Sequence, residues 1–145
     1  MAIGKIFYFK KYYSTYPKGE FAEYARYYSG RALYLSTPEA RLDQTQTQFA
    51  LNELQTFLEV YPSTDLKDKV HTMIFDLQDK LVEKEYLSAK LYYDLGSYFG
   101  NCMNGGNNYE ACVVTARNAI NEYPYAKQRE QLSALIVMAK YKLAE

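Results

Sequence analysis

The sequence predicts an all-α fold built from repeated helix hairpins, and three observations support this prediction. Apolar residues recur at helical spacing in successive segments, and no segment alternates with the two-residue period of a strand for long. Three of the four prolines follow a tyrosine at the end of an amphipathic segment, in the pairs Tyr16-Pro17, Tyr61-Pro62 and Tyr123-Pro124. Because proline lacks a helical N–H and disfavours helical geometry in the residue before it, each pair predicts a helix end.

Residues upstream of the three prolines repeat their chemical character at fixed distances. Small or apolar residues stand eight positions before them (Phe9, Leu54, Ala116) and five positions before them (Tyr12, Phe57, Ala119). Such recurrence is typical of a repeat array. We therefore expect about seven helices in one array over 1–145, in this order: a half repeat at about 1–17, a repeat at 20–62 with an insertion at 36–47, helix pairs over 65–124 with a loop at 100–108, and a half repeat at 126–145.

Polar residues predict where helices begin. Thr45, with Gln48 three residues later, fits a capping box for the helix that ends at the second Tyr-Pro pair. Ser63 or Asp65 is expected to cap the next helix, and Asn108 the helix after the Asn- and Gly-rich loop.

Composition argues against several classes of function. Seventeen Lys and Arg residues balance seventeen Asp and Glu residues, so no net charge attracts nucleic acid. The longest apolar stretch is only a few residues, around 135–139, too short to span a bilayer. The first five residues do not resemble a signal peptide. With one histidine, His71, most hydrolytic mechanisms lack their usual base, so we expect no catalytic, cofactor or metal residues.

The two cysteines, Cys102 and Cys112, form neither a disulfide framework nor a zinc-binding pattern. Cys112 occupies a small-residue position of the repeat, so we expect it to be buried. A disulfide between the two cysteines remains possible in an oxidising compartment.

Tyrosine is unusually common, with 17 residues, and it serves both helix packing and protein interfaces. Recurrence at the three Tyr-Pro pairs favours packing for most of them. In the adjacent pairs Tyr27-Tyr28 and Tyr92-Tyr93, one member must face away from a single core stripe. We expect Tyr27 and Tyr93 to lie on the surface as candidate protein-interface residues.

Two halves of one motif resemble the tetratricopeptide repeat. Tyr92-x2-Leu95-Gly96-x2-Phe99 is similar to its first half, with Tyr in place of Trp. Its second half is matched by Cys112, Ala116, Ala119 and Pro124 if the Asn/Gly loop is an insertion. The resemblance implies antiparallel helix hairpins stacked in a right-handed superhelix.

Three further segments resemble the BamD-type lipoproteins. They are the insertion with Asp43-Gln44-Thr45-Gln46-Thr47, the run from Leu54 to Pro62, and the run from Leu77 to Tyr92 that contains Asp79-Lys80-Leu81 and Glu85-Tyr86. The similarity extends from about Phe9 to Glu145.

This resemblance implies a non-enzymatic scaffold subunit of the machine that assembles β-barrel proteins, at the periplasmic face of the outer membrane. Its implied partners are the last POTRA domain of BamA, other assembly lipoproteins and unfolded barrel substrates. Arg129, with Lys127 beside it, matches the region where the family pairs a basic residue with BamA, although both could be solvated surface charges. The family's lipidated cysteine has no counterpart here, so we expect an interior fragment whose membrane anchor is absent.

Two other interpretations remain open. One is a generic periplasmic tetratricopeptide adaptor that coordinates the cell envelope, although such an adaptor has no reason to carry both BamD-like segments. The other is a non-repeat helical enzyme or ligand-binding bundle, closed around a polar pocket. In a truncated array the stripe Leu132, Leu135, Ile136 and Ala139 would be uncovered, so we expect end-to-end or swapped association.

Overall fold

The computed structural model describes residues 2–97 and 107–145, which form helices joined by turns and contain no strand. The helices are α1 (Ala2–Thr15), α2 (Ala22–Leu35), α3 (Thr45–Val60), α4 (Lys67–Leu95), α5 (Asn108–Glu122) and α6 (Arg129–Ala144). The prediction of an all-α fold made of helix hairpins is confirmed. Two predicted amphipathic runs, which we expected to form separate helices, join in α4, which continues for 29 residues without a proline or glycine.

Each Tyr-Pro pair ends a helix, as predicted, and all three form the same turn. Helices α1, α3 and α5 end one residue before the tyrosine, whose N–H donates to the carbonyl four residues earlier at 2.8, 2.9 and 2.9 Å. The tyrosine carbonyl then accepts from the N–H three residues later, at distances of 2.9 Å from Gly19, 3.2 Å from Thr64 and 3.2 Å from Ala126. The next helix begins six residues after the tyrosine in every case.

The predicted helix starts need small corrections. Helix α3 begins at Thr45 itself, whose N–H donates to Asp43 Oδ1 at 2.8 Å, so the capping box with Gln48 is wrong. Gln44 precedes the helix and accepts the Thr47 hydroxyl at 2.7 Å. In a capping box the Gln48 side chain would accept the Thr45 N–H, and the Asp43 side chain accepts it instead.

Two other side chains that hold the chain near a helix start each lie one residue from a predicted cap. Thr64, between Ser63 and Asp65, accepts the Leu66 N–H on its hydroxyl at 3.2 Å. Asn107, not Asn108, caps α5 by accepting the Tyr109 N–H at 2.9 Å. Asn108 is the first residue of the helix and is buried.

The chain forms two compact units, Met1–Leu77 and Gln78–Glu145. In the first unit α2 packs against α1 and α3. A Cβ atom on Gly30 would lie 2.8 Å from Leu54 Cδ2, so α2 and α3 approach closely at the glycine. The fully buried side chains here include Leu54, Phe57, Val70 and Leu77.

In the second unit α5 packs against α6 over a core contributed by Val82, Ala89, Cys112, Val113, Ala116, Ala119, Leu132, Leu135 and Ala139. The burial predicted for Cys112 is confirmed, and this burial raises the pKa of its thiol. Cys102 lies outside the described residues, so the disulfide stays a prediction. The stripe from Leu132 to Ala139 is covered by this packing, so the expectation that it is exposed was wrong.

Candidate protein-binding site

An open groove of about 690 Å³ lies in the first unit, between α2 and the beginning of α4. We call it the aromatic groove, since four tyrosines contribute to its lining. The lining residues are Tyr24, Tyr27, Tyr28, Arg31, Tyr34, Leu35, Leu66, Lys69, Thr72 and Met73.

One wall of the aromatic groove is formed by side chains that lie at helical spacing along α2. Tyr24, Tyr28, Arg31 and Leu35 lie four, three and four residues apart, so they share one face of the helix. Tyr24 and Tyr28 remain 53% and 43% exposed, and Leu35 is 63% exposed. Large aromatic and aliphatic side chains left this accessible are typical of a surface that binds another molecule.

Tyr27 lies beneath this wall, so its predicted surface position was wrong. Its side chain is only 8% exposed and packs at ring-centroid distances of 5.3 Å from Tyr28 and 6.0 Å from Phe57. The physical reason is that α2 has neighbours on two sides, α1 and α3, so its buried surface is wider than one stripe. Tyr28 is the more exposed member of the pair.

The charged residues that line the groove are both cations, Arg31 and Lys69. At the groove, the Tyr34 hydroxyl donates to Asp76 Oδ2 at 3.0 Å. Burial, and then the hydrogen bond to Asp76, raise the pKa of Tyr34 above its usual range. The groove therefore combines aromatic surface with positive charge, which suits an apolar or aromatic segment that also carries a carboxylate.

A polar cluster joins α1, α2 and α3 in the same unit. The Tyr13 hydroxyl donates to Glu53 Oε1 at 2.8 Å, and Lys10 Nζ lies 3.6 Å from the other Glu53 oxygen. The Arg26 guanidinium lies 4.6 Å from the Tyr13 ring centroid. Burial, then the bond to Glu53, raise the pKa of Tyr13 from 10.0 to about 12. The cluster therefore fixes α1 to α3 through Glu53, and α1 to α2 through the Arg26–Tyr13 contact.

The raised pKa of Tyr13 predicts a loss of stability in alkali. The folded state holds the phenolic proton more tightly than the unfolded state, so this contribution is complete below pH 10 and disappears as the pH rises through about 12. The difference in free energy of unfolding between wild type and Tyr13→Phe should therefore shrink over this range. Urea titrations at a series of pH values measure it, and a difference that stays constant contradicts the prediction.

The basic interface candidates of the second unit lie at the third Tyr-Pro turn. Lys127 Nζ lies 3.1 Å from Asp79 Oδ2, and its backbone N–H donates to Asp79 Oδ1 at 3.2 Å. Arg129 Nη1 donates to the Pro124 carbonyl at 3.2 Å. Both residues are exposed while supporting the turn, and their role at an interface stays a prediction.

Tyr93 does not face away from the core as expected. Tyr92 and Tyr93 are both half-buried and pack against the core of the second unit. The Tyr93 ring makes an edge contact with Tyr109 at 5.6 Å, so the beginning of α5 covers the side predicted to be free.

Sequence reasoning missed Tyr24, Arg31 and Lys69. The spacing of Tyr24, Tyr28 and Arg31 along one helix face was a usable signal, whereas nothing in the sequence places Lys69 beside them. Within 2–97 and 107–145, no group of three His, Cys, Asp or Glu residues could hold a metal ion. Of the helices in these ranges, none is long and apolar enough to cross a membrane.

Comparison with protein families identifies the chain's relatives. The family model described as "YfiO: Outer membrane lipoprotein" matches residues 4–107, which is most of the chain and includes the whole aromatic groove. The chain belongs to the YfiO family. None of the curated proteins compared with it matches.

Membership of the YfiO family confirms the predicted relationship to BamD-type lipoproteins. The family has a helical-repeat fold, is not catalytic and consists of outer membrane lipoproteins that take part in outer membrane assembly. The predicted repeat boundaries and the expectation of an interior fragment stay predictions for this YfiO-family chain.

Proposed function

We propose that this chain is a non-enzymatic scaffold of the outer-membrane β-barrel assembly machine and that its aromatic groove binds unfolded barrel segments. The exposed tyrosine wall of α2, with cations as the charged groups of the groove, is the observation that carries the proposal. Family membership supports the assembly role.

The chemistry of barrel strands fits this groove. A transmembrane barrel strand is a segment of about 10 residues with alternating hydrophobicity, and aromatic residues lie near both of its ends. An open groove accepts an extended segment from the side. Tyr24 and Tyr28 would stack on its aromatic residues, while Arg31 and Lys69 would attract its carboxylates.

The same proposal assigns the BamA-type partner to the second unit. Arg129 and Lys127 are exposed at the third Tyr-Pro turn, where they could pair with carboxylates on that partner. Their bonds to Pro124 and Asp79 hold them at the surface. Other assembly lipoproteins would use further parts of the repeat surface, as scaffolds of this kind do.

Binding of a labelled barrel-strand peptide, measured by fluorescence anisotropy, tests the groove. Because Tyr24 and Tyr28 supply the exposed aromatic surface, the double variant Tyr24→Ala/Tyr28→Ala should weaken binding by about tenfold or more. Phe49→Ala removes an aromatic ring that is 56% exposed but not part of the groove, so it should bind like wild type.

A peptide of identical composition with the alternation scrambled separates the two remaining protein-binding interpretations. The assembly function requires wild type to prefer the alternating peptide, whereas a generic adaptor would not distinguish the two. Equal binding of the alternating peptide by wild type and the double variant would remove the groove from the proposal.

A further inference from the structure

Two side-chain hydrogen bonds join the walls of the aromatic groove, one near each end of it. The Tyr34 hydroxyl on α2 donates to Asp76 Oδ2 on α4 at 3.0 Å. At the start of α2, Glu23 Oε1 accepts the hydroxyl of Thr64, which lies in the turn before α4. Glu23, Thr64 and Asp76 are not among the lining residues, so they hold the walls without forming the surface that a ligand touches.

The bond at Glu23 continues to the surface of the groove. Thr64 Oγ1, which donates to Glu23, also accepts the Leu66 N–H at 3.2 Å. Leu66 lines the groove. Glu23 therefore sets the position of Leu66 relative to the tyrosine wall of α2.

The two bonds bracket the lining residues. Glu23 and Tyr34 are eleven residues apart on one wall, and Thr64 and Asp76 are twelve residues apart on the other. Because the earlier residues of the walls are bonded to each other, as are the later ones, both walls run in the same chain direction. Every lining residue lies between these limits except Leu35, which directly follows Tyr34.

The distance between the two bonds limits how much of a bound segment the groove contacts. Eleven residues of an α-helix rise about 16 Å. An extended chain advances about 3.3 Å per residue, so about five of its residues fit between the bonds. Since a transmembrane barrel strand has about 10 residues, about half of one strand can lie in the groove at a time.

We propose, on the basis of the function proposed above, that the aromatic groove is a preformed site for about five extended residues of its substrate. In this site Glu23 and Asp76 are positioning residues that fix the separation of the walls. Tyr24 and Tyr28 are then held across from Lys69 before a segment arrives. Such preorganisation strengthens binding, because the ligand has less of the protein to order.

A nested series of alternating barrel-strand peptides, from about three to about nine residues long, measures the length of the site. Each peptide has the same aromatic residue and carboxylate at its centre, and it is lengthened equally at both ends. In fluorescence anisotropy the affinity of wild type should rise up to about five residues and then change by less than about twofold. An affinity that keeps rising steeply to the longest peptide overturns the proposed length.

Four variants examine the two hydrogen bonds. Glu23→Ala and Asp76→Ala each remove an acceptor, so each should weaken binding of the peptide of about five residues by about threefold to tenfold. Glu23→Gln and Asp76→Asn remove the same negative charge but keep an oxygen that accepts the hydroxyl. These two amide variants should therefore bind within about twofold of wild type, which identifies the hydrogen bond and not the charge as the cause.

Tyr13→Phe is the matched control for a general loss of stability. It removes the hydrogen bond from Tyr13 to Glu53, which lies in the same unit but outside the groove, so it should bind every peptide like wild type. Unchanged binding by both alanine variants, equal losses in the alanine and amide variants, or an equal loss in Tyr13→Phe would overturn the positioning role. A wild type that binds none of the peptides overturns the proposed function as well, whereas binding that ignores both length and the four variants overturns this inference alone.

Discussion

Replacing Phe57 with alanine should destabilise the chain by about 3–5 kcal/mol, which is the usual cost of truncating a buried aromatic side chain. Phe57 is 0% exposed and packs against Tyr27 and Tyr61, with ring centroids 6.0 and 5.5 Å away. Its removal leaves a cavity between α2 and α3 and deprives both tyrosines of a partner. The midpoint of urea unfolding, followed by circular dichroism, gives the change in free energy.

Phe49→Ala is the matched control for this substitution. Phe49 lies on the same helix but is 56% exposed, so its truncation should change stability by less than about 0.5 kcal/mol. Similar losses in the two variants would mean that Phe57 does not occupy the core described above. Since small domains have about 5–15 kcal/mol of stability in total, Phe57→Ala should also raise the unfolded population markedly.

Gly96→Ala should destabilise the second unit through two separate effects. Gly96 has a φ of +54°, a left-handed conformation that costs an L-residue about 1–2 kcal/mol. An added Cβ would also lie 2.6 Å from the Tyr109 hydroxyl oxygen and 2.9 Å from Cζ, an overlap for which a further cost of about 1–3 kcal/mol is typical. Thermal unfolding of the variant against wild type measures the sum.

Gly4→Ala makes the same chemical change but should stabilise the chain. Gly4 lies in α1, and a Cβ atom there would meet nothing within 4 Å. Because alanine favours helix over glycine, this variant should gain about 0.5–1 kcal/mol. A Gly96→Ala variant that gains stability, as Gly4→Ala is expected to do, would mean that the conformation assigned to Gly96 is wrong.

Features determined by local chemistry could be predicted from the sequence. Proline lacks the helical N–H and disfavours helical geometry in the residue before it, so the three Tyr-Pro pairs lie immediately after the ends of α1, α3 and α5. Helix starts were less certain because several neighbouring side chains can accept the same N–H. Asn107 caps α5 next to the residue expected to do so, and Thr64 accepts the Leu66 N–H between the two residues expected to cap α4.

Features determined by more than one neighbour could not be predicted in this way. One of two adjacent tyrosines faces solvent only on a helix with a single buried stripe, and both can be covered where a helix has neighbours on two sides. Tyr27 contacts Phe57, and Tyr93 contacts Tyr109. The aromatic groove was missed for a related reason, since Lys69 reaches it from a different helix than Tyr24 does.

The sequence distances between packed helices have a consequence for how the chain folds. Helices α1 and α2, α2 and α3, and α5 and α6 pack as chain neighbours, and hydrogen bonds between helices and turns join residues 40 to 48 positions apart. Packing between chain neighbours favours fast folding, because short loops lose little entropy before their contacts form. A hairpin can therefore form once its own few dozen residues are available, without waiting for the opposite end of the polypeptide.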